Sequence, residues 1–133
     1  MNYNINNICT SPEQSKKLVE LGIDVNTADM WWAERYEGVV TENGQYVVAE
    51  YPYYYLSLTK PSDTNYSQDT IKDIPAWSLA ALLEQLDDAA GLAKDYGLWF
   101  CYDNRKSCYT KHYDNPVDAC VEMIEKLKNK GLI

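Results

Sequence analysis

The most concentrated apolar stretch of the chain is Ile74-Pro75-Ala76-Trp77-Ser78-Leu79-Ala80-Ala81-Leu82-Leu83-Glu84-Gln85-Leu86. After its first residue it contains no β-branched side chain, which favours a helix. Ser78 is a typical N-cap, because its hydroxyl can accept a hydrogen bond from a free amide of the first turn. Pro75 prevents an earlier start, since it disfavours the α conformation at Ile74. Four leucines then share one helical face, namely Leu79, Leu82, Leu83 and Leu86. We therefore expect the central buried helix of the fold here.

Capping residues indicate two further helices. Before the first, Ser11 is followed by Pro12 at the first helical position and by Gln14 three residues after the cap. Before the last, Asn115 precedes Pro116 in the same arrangement. This last helix carries a continuous apolar stripe of Val117, Cys120, Val121, Ile124 and Leu127.

Two weaker signals also predict helices. The segment Asn26-Thr27-Ala28-Asp29 resembles a cap and predicts one to three helical turns over Met30-Trp31-Trp32-Ala33. Adjacent tryptophans point in different directions, so we expect one in the core and one on the surface. After an interruption at Asp87-Asp88, a short helix ending at Asp95 is a further candidate.

The remaining segments predict strands. Asn43-Gly44 lies between two β-branched runs, which is typical of a hairpin. The β pattern continues in Tyr51-Pro52-Tyr53-Tyr54-Tyr55, where proline belongs at an edge, a bulge or a break. Residues 98–102 and 108–113 predict two more strands, and residues 59–73 predict a long polar loop.

The strands arrive as hairpins rather than alternating with helices. The sequence therefore predicts a single α+β domain over residues 1–133. We expect a mainly antiparallel sheet packed against three or four helices.

The chain carries a net charge of −8, from 20 acidic and 12 basic residues. This composition argues against direct binding to a nucleic-acid backbone, which requires Lys and Arg. It fits a protein that binds a basic partner, a mimic of nucleic-acid charge, or simply a well-solvated acidic protein. The sequence shows neither a signal peptide nor a membrane-length apolar segment, so we expect a cytoplasmic protein. Its cysteines are then expected to be free thiols.

The set of side chains that most suggests chemistry is Cys101, Cys108, His112 and Cys120. With a two-residue turn at Asn104-Arg105, Cys101 lies opposite Cys108, and His112 lies further along the same face. Such residues can hold zinc, but no Cys-x-x-Cys is present, and buried structural cysteines explain the pattern equally well. A second interpretation is a nucleophilic thiol, Cys101 or Cys108, activated by His112. The sequence offers no third residue that would orient such a pair. We assign no metal, cofactor or catalytic residue.

Carboxylate pairs occur at Asp87-Asp88 and at Asp69 with Asp73. Such pairs can serve as acid and base or hold magnesium, although adjacent aspartates are common in solvated loops. The chain has no glycine-rich phosphate loop, no Gly-x-Ser-x-Gly and no His-Glu-x-x-His. These features disfavour an enzyme.

The best binding candidates are four tyrosines, in a chain with twelve Tyr against one Phe. They are Tyr51, Tyr53, Tyr54 and Tyr55. In a strand, Tyr53 and Tyr55 share one face and Tyr54 lies on the other. Tyrosine offers rigid contact area with a polar tip, which suits recognition of a peptide, a sugar or an exposed base. The alternative is that these residues simply suit a half-buried strand.

Three segments together resemble a known family. They are Ser11-Pro12-Glu13-Gln14-Ser15-Lys16-Lys17-Leu18-Val19-Glu20-Leu21-Gly22 with Thr27-Ala28-Asp29-Met30, then Pro75-Ala76-Trp77-Ser78-Leu79-Ala80-Ala81-Leu82-Leu83, then Asn115-Pro116-Val117-Asp118-Ala119-Cys120-Val121-Glu122-Met123-Ile124. They resemble an uncharacterised family of short acidic proteins encoded by phages and prophages of anaerobic gut bacteria. The resemblance implies a mobile-element setting and a bacterial host cytosol. It implies no activity, cofactor or catalytic residue.

The leading hypothesis is a non-enzymatic accessory protein that contacts another protein, of basic character, through an acidic, Tyr-rich surface. One alternative is a small enzyme or metal protein that uses Cys101, Cys108 and His112. Another is a DNA-charge mimic or a toxin-neutralising protein. Homo-oligomerisation is left open.

Overall fold

The structure, a computed structural model, describes residues 8–48, 51–60 and 72–133. Its α-helices are α1 (Pro12–Glu20), α2 (Leu79–Leu83) and α3 (Pro116–Asn129). Its strands are β1 (Met30–Arg35), β2 (Gly38–Val40), β3 (Tyr46–Val48), β4 (Tyr53–Ser57), β5 (Lys72–Ala76), β6 (Ala90–Asp95), β7 (Leu98–Asp103) and β8 (Cys108–Tyr109). The predicted α+β class is confirmed, with three α-helices in the described ranges.

The described strands form separate sheets rather than one. The first is three-stranded in the order β4-β1-β5, and the second is three-stranded in the order β6-β7-β8. Strands β2 and β3 pair with each other. All of these pairings are antiparallel. Helix α1 packs against β5, and helix α3 packs against β7 and β8.

The main core lies between the helices, where Leu18 of α1, Trp77 and Leu82 meet Val121 and Ile124 of α3. Helix α3 is the principal buried helix. Its buried side chains are Val117, Ala119, Cys120, Val121, Met123, Ile124 and Leu127. The prediction of a central buried helix that reaches residue 86 is therefore wrong in length, because α2 ends at Leu83.

Helix α2 itself begins as predicted but is short. Ser78 accepts a hydrogen bond of 3.2 Å from the Ala81 amide, which confirms it as the N-cap. Upstream, Ile74 and Pro75 belong to strand β5. Pro75 lies on the edge of its sheet, where a missing donor is tolerated.

The caps of the other two helices are confirmed. Ser11 and Gln14 form a reciprocal capping box, in which each side chain bonds the backbone amide of the other. Asn115 accepts a 2.9 Å hydrogen bond from the Asp118 amide. Gly22 follows α1 with a φ of +88°, the left-handed conformation predicted for it.

Both weaker helix predictions are wrong. Residues 30–35 form β1, which pairs with β4 on one side and β5 on the other. Residues 90–95 form β6, which turns into β7 through Tyr96 and Gly97, both at positive φ. The division of the tryptophans is confirmed. Trp32 is buried and donates a 2.7 Å hydrogen bond to the Thr10 carbonyl, whereas Trp31 is partly exposed.

The Asn43-Gly44 hairpin is confirmed between β2 and β3, with Gly44 at a φ of +77°. Of the polar loop predicted over residues 59–73, residues 61–71 lie outside the described ranges, and Asp73 belongs to β5. No helix within the described ranges is long and apolar enough to cross a membrane.

Candidate functional site

Strand β4 shows the predicted alternation of its tyrosines. Tyr53 and Tyr55 are 51% and 45% exposed, whereas Tyr54 is more covered and lies on the opposite face with a hydrogen bond to Glu34. Tyr51, just before the strand, is 80% exposed. The structure therefore brings Tyr53 and Tyr55 together on one face and separates Tyr54 from them.

Strand β1 supplies the neighbours of these tyrosines. Arg35 lies opposite Tyr53, and Ala33 lies opposite Tyr55. On the other side of β1, Ala33 lies opposite Asp73 of β5. Cross-strand partners share a face of the sheet, as do alternate residues along a strand. We call this side of the sheet the tyrosine face. It consists of Trp31, Ala33, Arg35, Tyr53, Tyr55 and Asp73, and of these Ala33 and Arg35 are buried.

An ion pair lies on the tyrosine face. Arg35 Nη1 is 3.2 Å from Asp73 Oδ1, and only about a tenth of each side chain is exposed. The Arg35 guanidinium also lies 5.8 Å from the ring centroid of Tyr55, within cation–π range. The ion pair fixes the guanidinium, and the guanidinium in turn supports the ring of Tyr55. Because the two charges are opposite, the pair itself carries no net charge.

Trp31 adds a second aromatic ring to the tyrosine face. It lies opposite Ser57 of β4, and the Lys60 ammonium lies 5.4 Å from its ring centroid. The face thus combines partly exposed aromatic rings with cations stacked on two of them. Such surfaces suit contact with another macromolecule, because aromatic and Arg side chains dominate binding energy at interfaces.

The opposite face of this sheet is part of the core. Trp32 and Ile74 pack there with Cys9 and Ala76. At its end, Tyr54 donates a 3.0 Å hydrogen bond to Glu34 Oε1. Burial, together with the bond to this carboxylate, raises the pKa of Tyr54 to about 12. The structure therefore gives Tyr54 an internal partner, which assigns it to the fold rather than to the exposed surface.

The cysteines are all buried free thiols. The predicted register between Cys101 and Cys108 is wrong, because Cys108 lies opposite Asp103 and the turn between the strands is longer than two residues. Cys101 and Cys108 nevertheless pack in one apolar cluster with Met123 and Leu127. Contact with Cys101 and burial raise the pKa of the Cys120 thiol far above its usual range. Both effects oppose formation of the thiolate at Cys120, whereas the same contact lowers the pKa of Cys101.

The contacts of His112 are with residues outside this cysteine cluster. Its ring is 4.8 Å from the ring of Phe100, and its Nε2 is 3.7 Å from Asp95 Oδ2. Its side chain is partly exposed, whereas the three cysteines of the predicted set are buried. In the described ranges, no three His, Cys, Asp or Glu side chains converge as metal ligands. The structure does not bring the predicted Cys/His set together.

Acidic side chains concentrate elsewhere, in a groove of about 360 Å³ between α1 and α3. It is lined by Glu13, Gln14, Lys17, Tyr113, Asp118, Val121, Glu122 and Glu125. Lys17 pairs with Glu125 at 3.2 Å, and Gln14 donates a 2.7 Å bond to Asp118. None of these residues belongs to the tyrosine face.

The acidic pair at Asp87-Asp88 is also explained by local contacts. The Lys106 ammonium lies 3.0 Å from Asp87 Oδ2, and the Ala89 amide donates to Asp87 Oδ1 at 2.8 Å. These contacts lower the pKa of Asp87, and the contact with Lys106 has the largest effect. Of the other predicted pair, Asp73 binds Arg35, and Asp69 lies outside the described residues.

Sequence reasoning missed Trp31, Arg35 and Asp73 as members of the site. The segment Trp31-Trp32-Ala33-Glu34-Arg35 could have indicated them, because in a strand Trp31, Ala33 and Arg35 share one face. The cap-like segment before it favoured a helix instead.

Comparisons with protein-family models, with curated proteins and with solved structures gave no match for this chain.

Proposed function

We propose that this chain is a non-enzymatic interaction module that binds another protein through the tyrosine face. The observation that carries the proposal is the position of Tyr53 and Tyr55. They lie about half-exposed on the side of the first sheet that faces away from the buried cluster around Trp32. Both rings are therefore accessible to a partner from that side of the sheet.

The tyrosine face suits binding because it is held in place before a partner arrives. Arg35 is anchored by Asp73 and lies over the ring of Tyr55. A tyrosine ring has few rotatable bonds, so little conformational entropy is lost when it is covered. Preorganised aromatic rings with a nearby guanidinium are typical of the residues that dominate an interface.

The net charge of −8 supports a basic partner. Asp73, the carboxylate of the tyrosine face, is paired with Arg35, so the acidic residues elsewhere would act at longer range by raising the rate of encounter. The setting we propose is that of a phage- or prophage-type accessory protein in a bacterial host cytosol. Four cysteines that remain free thiols support a reducing compartment.

The test is site-specific photocrosslinking in bacterial cells, with a photoreactive phenylalanine placed at Tyr53 or Tyr55. The control sites are Tyr96 and Tyr109, which are 99% and 55% exposed outside the tyrosine face. We expect one protein to be captured from both Tyr53 and Tyr55 and from neither control site.

A matched pair of double variants then tests the captured protein. Tyr53→Ala with Tyr55→Ala should weaken its binding by roughly tenfold or more, as expected for central aromatic contacts. Tyr96→Ala with Tyr109→Ala should leave binding unchanged. Equal capture at all four sites, or equal binding by both double variants, would contradict the proposal.

A further inference from the structure

Two buried thiols meet where α3 packs on the second sheet. Cys101 lies in β7, and Cys120 lies near the start of α3. A thiol–thiol hydrogen bond joins the two side chains. Neither residue is exposed to solvent. The two sulfur atoms are therefore neighbours inside the interface between helix and sheet.

The packing of α3 on β7 supports this contact independently. Ala119 and Met123, which lie on either side of Cys120 along the helix, belong to the same apolar cluster as Cys101. Cys120 itself packs in the main core with Val121. Cys120 thus lies where the main core meets the cluster of the second sheet, on the side of α3 that faces β7.

The other two cysteines are placed differently. Cys108 lies opposite Asp103 on the neighbouring strand, two residues along the ladder from Cys101. Diagonal partners of this kind have Cα atoms about 7–8 Å apart. A disulfide requires a Cα separation of about 4.4–6.8 Å, so Cys108 cannot bond to Cys101 unless the backbone moves. Cys9 packs in the separate cluster of the first sheet.

We propose that Cys101 and Cys120 form a redox-modification site, which a peroxide converts into a disulfide between β7 and α3. In a reducing cytosol both residues remain thiols, which is the state that the structure shows. Oxidation then fixes the principal buried helix to the second sheet. The inference does not rest on the proposed function, because the tyrosine face belongs to the first sheet.

The reaction consumes one molecule of hydrogen peroxide. The Cys101 sulfur attacks a peroxide oxygen, the O–O bond breaks, and Cys101 becomes a sulfenic acid with release of water. The Cys120 sulfur then attacks the Cys101 sulfur, the S–O bond breaks, and a second water leaves with the Cys120 proton. Their contact lowers the pKa of Cys101 and raises that of Cys120, which supports Cys101 as the residue that is oxidised first.

Burial makes this reaction slow but selective. Both sulfur atoms are covered in the closed fold, so peroxide reaches them when the packing of α3 on β7 opens locally. When the helix closes again, a sulfenic acid at Cys101 meets Cys120, because the two side chains are in contact in the packed state. Selectivity for this pair is therefore the property that an experiment should measure.

The test treats the folded parent chain with hydrogen peroxide, alkylates the remaining thiols in denaturant and measures the intact mass. We expect the loss of two hydrogen atoms, with Cys9 and Cys108 still alkylated, and a peptide map that joins Cys101 to Cys120. The oxidised protein should unfold roughly 5 °C or more above the reduced protein, because the crosslink restricts the unfolded chain. Dithiothreitol should reverse both changes.

Matched serine variants provide the controls. Cys101→Ser and Cys120→Ser should each abolish the intramolecular disulfide and the shift in unfolding temperature. Cys9→Ser and Cys108→Ser remove a buried thiol as well, but they should retain both effects. The peptide map requires only the parent chain, so the inference can be tested even where a variant fails to fold.

Two results would overturn the inference. One is a folded parent chain that keeps all four thiols, or oxidises Cys101 without a crosslink, under peroxide treatment that oxidises the same chain in denaturant. The other is a peptide map in which Cys9 or Cys108 replaces one member of the pair. Neither result bears on photocrosslinking at Tyr53 and Tyr55, so this inference and the proposed function fail separately.

Discussion

Tyr54 and Glu34 lie directly opposite each other on β4 and β1, and the Tyr54 hydroxyl donates a 3.0 Å hydrogen bond to Glu34 Oε1. The other carboxylate oxygen, Oε2, is buried and has no hydrogen-bond partner among the described residues. Burial of an ionised carboxylate is costly unless its oxygens are satisfied. This hydroxyl is therefore important to the stability of the first sheet.

Removing that hydroxyl tests the relationship. Tyr54→Phe should lower the free energy of unfolding by about 1–3 kcal/mol, because a buried acceptor loses its donor. The measurement is urea unfolding followed by tryptophan fluorescence. The matched control is Tyr109→Phe, which removes an exposed 3.2 Å hydrogen bond to Asn104 and should change stability by less than about 0.5 kcal/mol. Equal losses in the two variants would show that the Tyr54 bond has no special role.

Alkaline pH should destabilise the protein through two tyrosines. Burial, with the neighbouring Glu34 and Glu122, raises the pKa of Tyr54 and of Tyr113 from the ordinary 10.0 to about 12. The folded state therefore holds these protons more tightly than the unfolded state. Their stabilising contribution is complete below pH 10 and is lost as the pH rises through about 12.

Urea midpoints measured across this pH range check that expectation. The parent should lose stability more steeply than a variant carrying both Tyr54→Phe and Tyr113→Phe, in which neither proton can be lost. Other groups that titrate in the same range affect both proteins alike. Parallel curves for the two proteins would refute the assignment.

Through its hydrogen bonds, Thr10 links helix α1, the segment after β5 and strand β1. Its hydroxyl lies 2.7 Å from the Ser15 hydroxyl and accepts a 3.1 Å hydrogen bond from the Trp77 amide. Its carbonyl accepts the indole N–H of Trp32. Thr10→Val preserves the shape of the side chain but leaves the buried Trp77 amide and Ser15 hydroxyl without this partner.

We expect Thr10→Val to cost about 1–3 kcal/mol in the free energy of unfolding. Thr41→Val is the control, because the Thr41 hydroxyl accepts only an exposed 3.2 Å bond from the Gln45 amide in a hairpin turn. Its effect should stay within about 0.5 kcal/mol. Chemical denaturation of both variants side by side decides the point.

The four thiols should be unreactive in the folded protein. All are buried, and burial raises the pKa of Cys9 to about 11. Labelling by a thiol reagent near neutral pH should therefore proceed only as fast as the chain opens, and should be complete at once in denaturant. A thiol that reacts rapidly in the native state would revive the Cys/His alternative. Repeating the assay on Cys108→Ala and Cys101→Ala would then identify it.

Local chemistry was enough to predict the helix starts. Each cap at Ser11, Ser78 and Asn115 depends on a side chain within three residues of the amide it binds. The Asn43-Gly44 turn is equally local, because glycine there adopts a positive φ. Such features depend on a few adjacent residues and not on the rest of the fold.

Strands β1 and β6 could not be predicted in the same way. Met30–Arg35 is a strand because β4 and β5 flank it, and both come from later in the sequence. Ala90–Asp95 has residues that suit a helix, but pairing with Leu98–Asp103 overrides that preference. The sequence therefore predicted only part of the tyrosine face, namely Tyr53 and Tyr55, because their shared face followed from alternation within one strand.

The register around the cysteines failed for a related reason. Asp103 accepts a 3.0 Å hydrogen bond from the Lys106 amide, and Ser107 adopts a φ of +52°. These details extend the turn beyond the two residues assumed and shift every later pair. A polar turn shows where a hairpin reverses but does not by itself fix its length.

The two three-stranded sheets share no strand in the described ranges. What connects them is the apolar cluster in which Leu18, Trp77 and Leu82 meet Val121 and Ile124 of α3. Cooperativity between the two halves is therefore transmitted by side-chain packing and not by a continuous hydrogen-bond ladder. Hydrogen exchange should then reveal two protection units that open together in the parent chain and separately once this cluster is loosened.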